Sequence, residues 1–249
     1  MKTGSPPWAS GPGEILKHGL SLLKADSDTN RRLALISIDN AVELIVKTYL
    51  GLPARVIGIR IPRAEIEDMS MSFPKLLDGL EKYCKDKMTG IDLGEIEWYH
   101  RLRNELYHNG NGLTVERARV EVYSELAKTL FAALFGAPLI EDRTKEDELL
   151  GDFMAAWINF ERALQGLAVS VEDKHSIRRS PVDVLQFLLQ TNQVSKADFT
   201  EINQLRRIRN EVVHGVADYK QAITKDVINR LRHYTRELER RKSNESGKG

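Results

Sequence analysis

Two segments of seventeen residues decide how this chain is organised. Residues 92–108 read DLGEIEWYHRLRNELYH, and residues 198–214 read DFTEINQLRRIRNEVVH. Their apolar residues recur with the period of an α-helix and coincide in the two segments, so both helices turn the same face to a core. The chain therefore contains one helix twice, which indicates two copies of one domain. The eight identical pairs are Asp92/Asp198, Glu95/Glu201, Ile96/Ile202, Arg101/Arg207, Arg103/Arg209, Asn104/Asn210, Glu105/Glu211 and His108/His214.

Helical periodicity continues on both sides of these segments and predicts an all-α protein of two tandem helical bundles. A brief β-like run at 56–61 is the one exception. The second half repeats the last four helices of the first half in the same order. The predicted helices are 14–25, 30–50, 73–86, 92–108 and 114–135 in the first half, and 148–170, 181–190, 195–214 and 222–241 in the second.

Local composition suggests where the two bundles begin and end. Residues rich in Gly, Pro and Ser predict a flexible N-terminal segment, and a run of charged residues after Gly136 and Pro138 predicts a linker. The expected organisation is a flexible segment 1–13, a first domain 14–140, a charged linker 141–147, a second domain 148–242 and a disordered tail 243–249.

The overall composition narrows the class of protein. Lys plus Arg number 37 against 36 Asp plus Glu, so any nucleic-acid binding must come from local basic patches. The single cysteine, Cys84, excludes an internal disulfide and a cysteine metal cage, and the histidines lack zinc-ligand spacing. The N-terminus lacks the apolar run of a signal peptide, and the longest apolar stretch, 130–140, is interrupted by Gly136 and Pro138 and is too short to cross a membrane. We expect a cytoplasmic protein with no metal, no cofactor and no membrane partner.

The residues that the two helices share beyond their core face are polar. Arg103-Asn104 precedes His108, and Arg209-Asn210 precedes His214. Asn and His are four residues apart in both copies, so they share a helix face, and the long arginine side chain reaches round to join them. These six residues are the candidate catalytic residues.

Each histidine also sits at a helix exit, since glycines follow it closely. The helix dipole at that end favours the imidazolium form. A histidine that carries a proton, beside a fixed arginine, suits cleavage of an RNA phosphodiester. The arginine stabilises the charge on the phosphorus centre, and the imidazole takes a proton from the ribose 2′-OH or gives one to the leaving 5′-oxygen. This chemistry does not require a metal.

Both motifs resemble those of HEPN domains, helical bundles whose ribonuclease members carry an arginine, four to six residues, and then a histidine. Arg103-Asn104 with His108 and Arg209-Asn210 with His214 both match the four-residue version. The resemblance implies a metal-independent endoribonuclease whose composite site forms where two such domains face each other. It also implies a role as a toxin or in antiviral defence, and an inhibitor, antitoxin or activating partner protein.

Further polar residues are weaker candidates for substrate binding. The helix over 30–50 carries a polar stripe at Asn40, Glu43 and Lys47, and HEPN domains often place an acidic residue and a lysine on the equivalent helix. In the second half, Glu161 and Gln165 are the corresponding pair, which lacks the cation. The remaining candidates are arginines of the two repeated helices, namely Arg101, Arg206 and Arg207.

Two other functions remain open. The same arginines suit a catalytically silent module that binds RNA, a nucleotide or a protein, since duplicated sites often keep a motif in a binding role. A purely helical interaction scaffold is the third alternative. If the protein is an endoribonuclease, RNA is the expected partner. A homodimer is compatible with this function. A structural role is expected for Glu105 and Glu211, as ion pairs with Arg101 and Arg207 four residues earlier.

Overall fold

The protein is described by a computed structural model over residues 6–108, 114–139, 145–171, 181–214 and 216–246. In these ranges it forms α-helices, two short 3₁₀ helices and no strand, which confirms the all-α prediction. None of these helices is long and apolar enough to cross a membrane. The α-helices are α1 (Ser10–Lys24), α2 (Asp28–Leu50), α3 (Ala54–Ile57), α4 (Arg63–Met69), α5 (Phe73–Tyr83), α6 (Leu93–His108), α7 (Arg117–Phe135), α8 (Lys145–Val171), α9 (Pro181–Gln190), α10 (Lys196–Val213), α11 (Tyr219–Ala222) and α12 (Lys225–Ser246).

The chain divides into two compact units, Met1–Arg143 and Thr144–Gly249. Helices α1 to α7 belong to the first unit, and α8 to α12 belong to the second. The division falls within the charged segment 141–147, of which residues 141–144 lie outside the described ranges.

Several predicted ends were wrong: α1 and α8 begin before and α12 ends after its predicted limit, whereas α5 ends and α7 begins three residues inside theirs. Helix α1 begins at Ser10, inside the segment 1–13 that composition marked as flexible. Gly13 is buried in this helix, and a Cβ added there would lie 3.5 Å from the Phe131 ring, so residues 10–13 pack against α7; residues 1–5 lie outside the described ranges. Helix α8 begins inside the predicted linker, and α12 continues into the predicted tail.

The β-like run at 56–61 does not form a strand. Helix α3 ends at Ile57, and Gly58 has a φ of 74°, in the left-handed region that a strand does not contain. The predicted strand character came from β-branched residues alone, which a turn with this glycine overrides.

Helix α2 is the centre of the first unit, since it contacts α1, α5, α6 and α7. Ser27 begins it by accepting a hydrogen bond from the Asn30 N–H (3.1 Å). Helix α1 packs very closely against it at Gly19, where a Cβ would lie 2.8 Å from Ile38 Cγ1. This burial on several sides makes any polar residue of α2 energetically significant.

In the second unit, α8 and α12 pack along each other. Helix α9 contacts α8, and α10 contacts both α9 and α12. Helix α10 begins at Ser195, whose hydroxyl accepts a hydrogen bond from the Asp198 N–H (3.1 Å). Its inward residues Ile202, Leu205 and Val212 are buried, as the period of the repeated segment predicted. Both copies of the repeated helix therefore turn one apolar face to the core of their own unit.

The buried thiol of Cys84, 3% exposed, gives a prediction about pH. Burial raises its pKa from 9.0 to about 11. Between these values the folded protein holds a proton that the unfolded chain releases, so this group's stabilising effect is complete below pH 9 and is lost as the pH rises toward 11. At pH 8.5 we expect iodoacetamide to modify the native thiol about 100-fold more slowly than the thiol in urea, following the thiolate fraction.

Mass spectrometry of the alkylated protein over time measures both rates. Native modification as fast as that of the unfolded chain would contradict the burial of this thiol. Replacement of Cys84 by alanine should also flatten the fall in unfolding free energy between pH 9 and pH 11, relative to the parent.

Candidate active site in the first unit

Arg103 lies on α6, and three polar side chains hold it in place. Its Nη1 donates to Asn104 Oδ1 (2.8 Å), and its Nη2 donates to Asn40 Oδ1 on α2 (2.8 Å). Its Nε lies 3.5 Å from Asp39 Oδ2. The side chain is 21% exposed, so this arginine contacts the buried Asp39 and still reaches the surface. A planar guanidinium held in this way is preorganised for an anion.

Asp39 is the buried centre of this arrangement. Its side chain has no exposed surface, yet it lies in the middle of α2. Its Oδ1 accepts a hydrogen bond from the Tyr123 hydroxyl of α7 (2.8 Å), and its Oδ2 contacts His100 Nδ1 of α6 (2.9 Å). Burial and the nearby carboxylate of Asp39 hold the pKa of Tyr123 well above its usual range. One buried carboxylate thus ties α2, α6 and α7 together.

His100 completes the cluster on the side of α5. Its ring stacks on Phe73 with centroids 4.1 Å apart and an interplanar angle of 21°. Its side chain is 13% exposed. Because Asp39 Oδ2 contacts both His100 and Arg103, an imidazole and a guanidinium stand side by side on α6.

The structure brings together some of the residues that the sequence selected. Arg103 and Asn104 are in contact, and Asn40 from the polar stripe joins them. His108 is the last residue of α6, as predicted, and its side chain lies outside what the structure describes. Glu43 and Lys47 form an ion pair with each other (2.5 Å) on a partly exposed face of α2.

Arg101 does not pair as the sequence predicted. Its guanidinium lies 3.7 Å from Glu97, four residues earlier, rather than forming the expected pair with Glu105. Both partners are available on an exposed helix face, and spacing alone does not choose between them. The corresponding prediction in the second unit is confirmed, since Arg207 pairs with Glu211 (2.8 Å).

The repeated motif has different surroundings in the second unit. Arg209 is only 5% exposed, and its guanidinium carbon lies 5.7 Å from the centroid of the Trp157 ring. With Glu161 matched to Glu43, Trp157 occupies the position of Asp39. An aromatic face therefore replaces the carboxylate beneath the arginine. The two copies share their sequence motif but not the network around it.

The other motif residues of the second unit lie near the surface. Asn210 and His214 are exposed, and the His214 N–H donates to the Asn210 carbonyl (3.0 Å) where α10 ends. Arg206 stands at the position that aligns with His100, and it donates to Asn203 (2.9 Å). Burial lowers the pKa of Arg206, and the negative charge of Glu161 partly opposes this.

Sequence reasoning missed Asp39, His100 and Tyr123 as members of the site. One signal was available for Asp39, because residues 35–46 read LISIDNAVELIV and a carboxylate within such an apolar helix requires partners. His100 precedes Arg103 by three residues, so helical spacing places them on neighbouring positions. Tyr123 had no such signal, since a tyrosine in an apolar helix is an ordinary core residue.

Comparison of the chain with protein-family models, with curated proteins and with solved structures found no match in any of the three. The geometry around Arg103 and the repeated motif are therefore the two observations from which a function is argued.

Proposed function

We propose that the protein is an endoribonuclease that cleaves RNA without a metal ion, at a site formed around Arg103 and His108. The observation that carries the proposal is the anchoring of Arg103. Three side chains hold its guanidinium at 2.8, 2.8 and 3.5 Å while part of it stays exposed. Burying the carboxylate of Asp39 beside an arginine costs free energy, and a surface arginine with a purely solvating role has no need of it.

In the proposed reaction, the ribose 2′-oxygen attacks the adjacent phosphorus, and the bond to the 5′-oxygen breaks. Arg103 stabilises the negative charge that accumulates on the phosphoryl oxygens, because its donors are already oriented when the substrate binds. His108 ends α6, where the helix dipole favours an imidazolium that protonates the leaving 5′-oxygen. The products are a 2′,3′-cyclic phosphate and a 5′-OH.

A composite site that also uses Arg209, Asn210 and His214 stays a prediction, as do a toxin or antiviral role and an inhibitor or activating partner. The environment of Arg209 favours different roles for the two arginines of the motif. Its guanidinium packs over Trp157 and is almost fully buried, so the first unit is the better candidate for contact with the scissile phosphate. The burial of Arg209 also favours a second candidate function, a silent module that binds RNA through a single arginine.

Cleavage of a labelled mixed RNA pool in EDTA tests the proposal. We expect the parent protein to produce fragments with cyclic-phosphate ends and His108→Ala to produce none. His18→Ala, at an exposed position of α1, is the matched control and should cleave like the parent. Binding of the pool without cleavage by the parent would instead support the silent module.

His214→Ala in the same assay separates the two versions of the site. A composite site requires this variant to lose activity as fully as His108→Ala does. A site confined to the first unit requires it to retain most of the parent rate.

A further inference from the structure

We infer that His100, oriented by Asp39, is the general base of the reaction and accepts the proton of the ribose 2′-OH. This inference rests on the proposed function and adds a catalytic residue that the repeated motif does not contain. It follows from the contacts of one imidazole ring and from its position on α6.

The contact with Asp39 sets the chemistry of the ring. His100 Nδ1 lies 2.9 Å from Asp39 Oδ2, and a carboxylate oxygen in this position accepts a proton-bearing nitrogen. The proton of the neutral ring is then on Nδ1, which leaves the lone pair of Nε2 available as a base. His100 makes no other hydrogen bond in the part of the chain that the structure describes. Stacking on Phe73 holds the plane of the ring.

The position of His100 on α6 suits a reaction with His108. His100, Asn104 and His108 are spaced by four residues, so they follow one ridge of the helix, with Arg103 beside them. At 1.5 Å per residue, the two histidines are about 12 Å apart along the axis, measured between backbones. An interval of this length along the helix is large enough for one phosphodiester to bind between a base and an acid.

The proton balance of this arrangement is complete. Nε2 of His100 takes the proton from the 2′-OH as the bond between the 2′-oxygen and phosphorus forms. The bond between phosphorus and the 5′-oxygen breaks, and the imidazolium of His108 gives its proton to that oxygen. The enzyme ends with one histidine protonated and the other neutral, and exchange of protons with water restores both.

The charged and titratable groups around His100 come from three helices. Asp39 of α2 is the carboxylate in direct contact, Arg103 is the neighbouring cation on α6, and Tyr123 of α7 bonds to the other oxygen of Asp39. The ring that packs on His100 from α5 is the uncharged Phe73. The buried carboxylate of Asp39 therefore contacts both the imidazole of His100 and the guanidinium of Arg103, to which the proposed reaction assigns the phosphate.

The second unit does not contain this pair. Arg206 occupies the position of His100, and Trp157 occupies the position of Asp39. Neither a guanidinium nor an indole accepts a proton at neutral pH. The inference therefore places base, arginine and acid on the first unit, without a contribution from the second.

His100→Asn is the decisive variant. The asparagine amide nitrogen is the same number of bonds from Cα as Nδ1 of histidine, so it keeps the donor to Asp39 and removes the base at Nε2. We expect kcat/KM for RNA cleavage at pH 7 to fall by about 10²–10⁴-fold. The part of the pH profile on which the rate rises with pH should also disappear. His18→Asn, the same change on an exposed face of α1, should leave both the rate and the profile unchanged.

A urea titration of each variant separates a lost base from a lost fold. If His100→Asn does not fold, His100→Gln is measured in its place, because it also removes the imidazole ring. The part of the pH profile on which the rate rises with pH should be lost in this variant too. If the parent cleaves and a folded His100 variant retains its rate and its pH profile, His100 is not the base. If the parent itself fails to cleave, the proposed function and this role are both overturned.

Discussion

Lysine in place of Arg103 is expected to lower the rate of the proposed RNA cleavage by about 100-fold or more, because a positive charge alone does not replace a fixed guanidinium. Arginine has a planar fork of five N–H donors, and here that fork is held by Asp39, Asn40 and Asn104. Lysine has a compact ammonium on a flexible stem. Single-turnover cleavage of a labelled RNA, at saturating protein, measures the loss at the chemical step.

Two further arginines make this experiment specific. Arg63 is 92% exposed and pairs only with Glu67 (3.1 Å) among the residues described, so Arg63→Lys should cleave at the parent rate. Arg209→Lys should lower cleavage less than Arg103→Lys, because Arg209 packs over Trp157. Equal losses at Arg103 and Arg209 would support a composite site, and a loss at neither would argue against the proposed reaction.

Alanine in place of Asp39 is expected to lower the free energy of unfolding by about 3–5 kcal/mol, because it leaves buried partners without their carboxylate. The Tyr123 hydroxyl, the His100 Nδ1 and the Arg103 Nε all contact this one side chain, which has no exposed surface. Urea denaturation followed by circular dichroism measures the change, with the slope of the transition compared between parent and variant.

Tyr123→Phe is the matched control for this prediction. It removes one hydrogen bond to the same carboxylate and keeps the ring that stacks on Tyr99 with centroids 4.5 Å apart. A loss of about 1–2 kcal/mol is expected for one buried hydrogen bond. If Asp39→Ala destabilised the protein no more than Tyr123→Phe, the carboxylate would not be the centre of the network.

The helices themselves were largely predictable from the sequence. Helices α2, α6, α9 and α10 begin and end within two residues of their predicted limits, because their apolar period and their capping residues agree. The errors lie at 10–13, where a Gly-Pro-rich segment is helical, at the end of α5 and the beginning of α7, and near the ends of α8 and α12. The short helices α3, α4 and α11 were not predicted. Composition describes local preference, whereas packing against Phe131 at Gly13 orders a segment that composition marked as flexible.

The candidate site was only half predictable. Adjacency in the sequence and the reach of the long arginine side chain predicted that Arg103 and Asn104 would meet, and the structure shows this contact. The partners from other helices were not accessible in this way. Asp39 is 61 residues before His100 and 84 residues before Tyr123, and no periodicity relates positions so far apart.

The sequence by itself determined that the fold is all-α and that one polar motif occurs twice. Both properties depend on the spacing of residues that lie close together in the chain. The sequence also showed that the second copy lacks the cation of the polar stripe, but only the tertiary structure decided which side chain lies beneath each arginine. It places a buried carboxylate beneath Arg103 and an indole ring beneath Arg209. The physical reason is that the environment of an arginine depends on which side chains other helices bring to it, and that choice is made by packing rather than by local sequence.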